Sequence, residues 1–69
     1  MPTDIRYDKD AARVVATIGS EDDSFTMRFE SVTDFDCDDD LRVRFRALDF
    51  QCKPVEVRLN ADILITEGS

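Results

Sequence analysis

The chain has no histidine and no tryptophan, and only two glycines, two prolines and two cysteines in 69 residues. Without histidine there is no Ser-His or Cys-His nucleophile pair and no imidazole base. Neither Gly19 nor Gly68 lies in a run that would cradle a phosphate, which excludes a P-loop or a dinucleotide fingerprint. Cys37 and Cys52 cannot close a four-ligand zinc site alone. They read as two free thiols, one or both partly buried, as expected of a reducing compartment. Cys37 lies among aspartates, whose charge opposes thiolate formation and blunts it as a nucleophile. These absences predict a non-enzymatic protein with no catalytic residue, cofactor or metal. No apolar run approaches the ~18 residues of a membrane span. The opening MPTDIRYDKD is too polar for a secretory leader, so a cytoplasmic protein without a membrane partner is expected.

What is present is acid. Sixteen Asp and Glu face nine Lys and Arg, giving a formal charge of -7. The excess is uneven: residues 1–40 carry 12 acids and 4 bases, residues 41–69 carry 4 acids and 5 bases. Aspartate dominates the acids, and it disfavours helix and strand interiors, so the excess belongs in turns and at element ends. An Asp-rich, Lys-poor composition also suits a salt-adapted source, in which case the acidity is general solvation. At 42% hydrophobic and 36% charged, the chain is too apolar for disorder. Its length predicts one domain over residues 1–69 with a thin stability margin, which a second copy or a bound partner would widen.

Alternation of apolar and polar residues organises the chain. Residues 5–7 read as a short edge strand. Arg13 to Ile18 reads as a strand on its β-branched content, against a rival helix capped by Asp10. Residues 19–24 form a polar turn, and Phe25 to Glu30 alternates. Residues 31–40 read as irregular, with one helical turn from Ser31 carrying Val32 and Phe35. Leu41 to Leu48 and Val55 to Asn60 alternate around a turn at 49–53. Residues 61–65 either continue the last strand or begin a short helix after Asn60. A weak repeat at an offset of 30 sets Arg13–Ile18 on Val43–Leu48 and Phe25–Phe29 on Val55–Leu59. The expectation is an all-β fold: an antiparallel sheet of four to five strands, two hairpins as a curled meander or small barrel. The alternative is α+β, with one or two short helices over one face.

Two surfaces emerge. Arg28, Arg42, Arg44, Arg46 and Arg58 alternate with the apolar set Phe25, Met27, Phe29, Val43, Phe45, Val55, Val57 and Leu59, so they share the face turned from the core. This face is either neutralised by Glu30, Glu56 and turn aspartates, or it binds anions. The second surface is the pair of acidic runs Glu21, Asp22, Asp23 and Asp34, Asp36, Asp38, Asp39, Asp40. They would imitate a phosphate backbone and dock on a basic groove, with Phe35 as an apolar anchor or, alternatively, as a plug in the core. Asp34, Asp36 and Asp38 begin like a calcium loop, but the sixth position is Asp39 rather than Gly and the twelfth is Phe45 rather than Glu.

In size, acidity and lack of catalytic groups, the chain is similar in type to small phage-encoded inhibitors of bacterial defence systems, anti-CRISPR proteins among them, and to small immunity proteins. The likeness is carried by those traits and by no motif. It implies an inhibitor or adaptor that binds a basic, nucleic-acid-binding protein. The alternatives are an anion or nucleic-acid binder acting through its arginines, which the net charge opposes, and a subunit of a homodimer or larger assembly.

Overall fold

The computed structural model describes residues 2–68. Among them there is no helix, and six strands form one sheet: β1 (Thr3–Asp8), β2 (Arg13–Ser20), β3 (Asp23–Cys37), β4 (Arg42–Leu48), β5 (Pro54–Asn60) and β6 (Ile63–Glu67). Their spatial order is β5-β4-β3-β2-β1-β6. The all-β expectation stands, and the α+β alternative does not. The sheet is mixed rather than antiparallel, because β6 pairs with β1 in parallel from Asp4↔Ile63 to Asp8↔Glu67. Hydrophobic alternation marks a face but carries no strand direction. The remaining ladders are antiparallel.

Residues 5–7 therefore belong to an internal strand, flanked by β2 and β6. The expected turn at 19–24 shrinks to Glu21 and Asp22, because both flanking strands run further than their apolar residues do. Gly19 is required there. Its φ of 118° is one that side chains avoid, and a β-carbon would strike the Asp23 carbonyl oxygen. Residues 61–62 interrupt the C-terminal alternation, so β6 is a separate strand.

The largest correction falls on residues 31–37, which are strand rather than loop or helical turn. β3 pairs with β2 over Asp23–Phe29 and with β4 from Glu30 to Cys37. Its register on β4 runs Glu30↔Leu48, Thr33↔Arg46, Asp36↔Arg44, so β3 twice inserts one extra residue. Ser31 and Asp34 sit at these two bulges with φ of 55° each. A bulge bends a strand and shifts the face of every residue after it. Two bulges three residues apart turn Phe29, Val32 and Phe35 to the same side, a spacing of three that imitates a helix.

The bend folds the sheet over on itself. Ile5, Val14 and Ala16 of one half and Val32, Val43, Phe45 and Ala47 of the other form one buried cluster. Phe29 meets Phe45 edge-on at 5.2 Å between ring centres. The edge strands β5 and β6 are joined by only Ala61 and Asp62, yet they do not pair, so the sheet is not closed into a barrel. The joint is pinned by Ala61 N–H donating to Leu41 O and Asp62 N–H to Thr3 O, both at 2.8 Å.

Candidate functional site

Two hairpin turns share one design. In residues 38–42 the Asp38 carboxylate accepts from the N–H groups of Asp40 and Arg42, both at 2.9 Å. In residues 49–53 the Asp49 carboxylate accepts from Gln51 N–H at 2.8 Å and Lys53 N–H at 2.9 Å. Each turn closes with a left-handed residue in fourth place, Leu41 at φ 59° and Cys52 at φ 61°. This is a three-residue hairpin loop, in which glycine usually takes the left-handed position. The aspartate makes the same pair of hydrogen bonds in both, and the residue displayed after it differs: Asp39 in one, Phe50 in the other.

The acidic residues divide by partner. Arg42 holds Asp38 at 3.2 Å and Asp40 at 2.9 Å, and Arg44 holds Asp36 at 3.6 Å. Backbone N–H of Arg42 lowers the Asp38 pKa most; partial burial opposes this, while the Asp40 N–H and the Arg42 charge add to it. Glu21, Asp22, Asp23, Asp34 and Asp39 are exposed and carry no ion pair among the described residues. Phe35 is half-buried against the core and stacks on Tyr7, so it acts as the plug rather than as a displayed anchor. Among the described residues no three acids or cysteines converge as metal ligands.

The arginines lie where the alternation puts them, on the face turned from the core. Arg44 is directly opposite Arg58, and Arg42 opposite Asn60. With Asp36, Asp38 and Leu59 they line a cleft of about 510 Å³. Like charges placed opposite each other cost stability unless neutralised. Here each has a carboxylate, since Arg58 reaches Glu56 at 3.4 Å. Glu30, also expected to neutralise this face, binds Arg13 instead, at 3.0 Å and 3.1 Å. Arg28 and Arg46 make no ion pair among the described residues.

Both thiols are free; Cys37 is half-buried and Cys52 exposed. Partial burial, then the charges of Asp38, Asp36 and Asp39, raises the Cys37 pKa.

Phe50, at the tip of the β4–β5 hairpin, is 93% exposed; Leu48 and Val55 at the same end are 41% and 36% exposed but point to opposite faces, since Val55 pairs with the buried Ala47. The shared spacing of Asp38–Arg42 and Asp49–Lys53, an aspartate four residues before a base, is the signal that would have shown Phe50 as the counterpart of Asp39. Phe25, expected to be covered, is 54% exposed at the far end of β3.

Comparison with protein-family models, curated proteins and solved structures finds no match to this chain. No helix among the described residues is long and apolar enough to cross a membrane.

Proposed function

We propose that the chain is a non-enzymatic binding protein, an inhibitor or adaptor, whose free carboxylates dock on a basic protein surface of the kind that holds nucleic acid. The observation that supports this is the division of the acids. Asp36, Asp38 and Asp40 are engaged by arginines, whereas Glu21, Asp22, Asp23, Asp34 and Asp39 present unneutralised charge in exposed positions. Glu21–Asp23 lie at the tight β2–β3 turn, so three charges are held close together without a counter-ion among the described residues. Such a cluster steers a cationic partner over about a Debye length, near 10 Å at 0.1 M salt.

The test is capture of partners from nuclease-treated lysate at low and high salt, with wild type and with a Glu21→Lys, Asp22→Lys, Asp23→Lys, Asp39→Lys variant. A basic protein held only at low salt, displaced by added duplex DNA and lost in the variant, is the expected result. Capture unchanged by the charge reversal sinks the reading.

Anion binding by the arginine face is the second reading, supported by the opposition of Arg44 and Arg58. It requires an oxyanion to compete with Asp36 and Glu56. An Arg44→Ala, Arg58→Ala variant that loses phosphate or DNA binding while the acidic turns are dispensable would favour it.

A further inference from the structure

β5 stands last in the strand order, so one of its edges has no neighbour among the described strands. In an antiparallel pair, alternate residues exchange both backbone hydrogen bonds with the strand opposite. Asp49 N–H donates to Lys53 O at 2.9 Å and Ala61 N–H to Leu41 O at 2.8 Å. Both bonds continue the β4–β5 register, one at each end, so the odd-numbered residues of β5 bond to β4. The N–H and C=O groups of Glu56, Arg58 and Asn60 therefore point out along the free edge. Pro54, which has no N–H, opens the strand at a position of the same kind, where only a C=O is presented.

Side chains divide the same strand by face. Val57 and Leu59 pack against the core, whereas Glu56 and Arg58 are exposed on the outer face and meet at 3.4 Å. Free edges are commonly blunted by charged side chains, lysine above all. Here the two charges have opposite signs and stand two residues apart, which makes the strand complementary to itself. With a second β5 laid antiparallel on it and Val57 on the two-fold axis, Glu56 comes opposite Arg58 of the second copy, and Arg58 opposite its Glu56. Val55 comes opposite Leu59, and Val57 opposite Val57. A shift by two residues either way sets Glu56 on Glu56 or Arg58 on Arg58, and like charges directly opposite are destabilising. A shift by one turns the apolar residues of one copy to the wrong face.

We propose that the β5 edge pairs with β5 of a second copy in this register, joining the two sheets across a two-fold axis. This goes beyond the docking reading and uses none of its carboxylates. Glu56 and Arg58 each exchange both backbone hydrogen bonds with the residue opposite, and at either end a Pro54 C=O accepts from the facing Asn60 N–H. The pairing also relieves a conflict within the monomer. Arg58 lies opposite Arg44 on β4, and Glu56 of the second copy adds a carboxylate to that row. Each Glu56, already opposite Arg46 of its own chain, then stands between two arginines. Two molecules at -7 repel, but β5 lies in residues 41–69, where 4 acids face 5 bases, so the copies meet through the least acidic part of the chain. A contact one strand wide is small beside the roughly 1,200–2,000 Å² of a stable interface, so association is concentration-dependent.

Sedimentation velocity on the full chain tests this, with wild type, Glu56→Arg, Arg58→Glu and the double swap Glu56→Arg, Arg58→Glu run over a concentration series. The wild type is expected to gain mass towards a dimer. Each single reversal sets like charges opposite at both contacts and should remain monomeric. The double swap restores opposite charges and should dimerise again, as should an equimolar mixture of the two single variants, as a 1:1 heterodimer. The register has its own readout. In a Cys37→Ala, Cys52→Ala background, Val57→Cys should oxidise to a linked dimer, because residues facing each other at a pair without hydrogen bonds lie about 4.5 Å apart at Cα, within disulfide reach. Val55→Cys, which faces Leu59, should not. A wild type monomeric up to about 1 mM, a dimer indifferent to both single reversals, or a double swap that stays monomeric overturns the proposal. Cross-linking of Val55→Cys as readily as Val57→Cys also overturns it. The Glu21→Lys, Asp22→Lys, Asp23→Lys, Asp39→Lys variant should dimerise like wild type, so this interface can fail or stand independently of the acidic docking surface.

Discussion

The ring of Tyr7 lies flat on the ring of Phe35, with centres 4.0 Å apart and planes 10° from parallel. Tyr7 belongs to β1 and Phe35 to the bulged end of β3, so the stack joins the two halves of the folded sheet. It exists because the bulge at Asp34 turns Phe35 inward.

Removing either ring should therefore cost more than its exposed area suggests. Phe35→Ala is expected to lose about 2–3 kcal/mol, below the 3–5 kcal/mol of a fully buried ring. A double-mutant cycle with Tyr7→Ala should return a coupling of about 0.5–1.5 kcal/mol from urea unfolding. Strict additivity would mean that the stack contributes nothing of its own.

Backbone strain predicts the opposite sign elsewhere. Ala12, Ser31, Asp34, Leu41 and Cys52 all hold φ between 50° and 61°, where only glycine is free of steric cost. Cys52 is exposed, so Cys52→Gly removes strain without removing packing. It should raise stability by about 0.5–1 kcal/mol after the entropy added to the unfolded chain is subtracted. Asp34→Val should lower it, because a β-branched side chain tolerates the left-handed region worst. Thermal unfolding of both variants checks the pair of signs.

The two thiols should react at different rates. Cys52 is open to solvent, whereas burial and three neighbouring aspartates hold the Cys37 pKa up. Iodoacetamide near pH 8 is expected to label Cys52 first, read by mass spectrometry of proteolytic fragments. Equal rates would contradict the placement of Cys37. In an Asp36→Asn, Asp38→Asn variant, Cys37 should label faster than in wild type.

Acid should weaken the β3–β4 turn. The folded pKa of Asp38 lies below its ordinary value of 3.8, chiefly because the backbone N–H of Arg42 donates to the carboxylate. The stability this brings is present above the unfolded pKa and is lost as pH falls through the lower, folded one. Asp38→Asn keeps an oxygen acceptor and removes the titration. Its melting temperature should therefore fall less than that of wild type below about pH 3.9. Parallel curves for the two proteins would refute the assignment.

How far the sequence disclosed this arrangement depends on what repeats in it. β4 and β5 alternate cleanly, and the fold places Val43, Phe45, Val57 and Leu59 inward as read. The Arg13–Ile18 strand was legible from its β-branched residues. The 31–37 segment was not, because two bulges convert a strand's period of two into three, which periodicity assigns to helix. The direction of β6 was hidden, since pairing partners lie far apart in the chain. The acids were legible as charge, but which of them meet an arginine depends on registers such as Asp36↔Arg44 that two bulges set. Phe50 is invisible to periodicity because a turn residue takes no part in alternation.

The parallel ladder of β1 and β6 also fixes how the molecule bears tension. A force applied between Thr3 and Glu67 pulls the two strands along their length in opposite directions, so the rungs from Asp4↔Ile63 to Asp8↔Glu67 stretch together. A force between Arg42 and Asn60, paired at one end of an antiparallel hairpin, opens its rungs one after another. Rupture under load is set by the unfolding barrier rather than by equilibrium stability. The same small sheet is therefore stiff along one axis and opens like a zip along another.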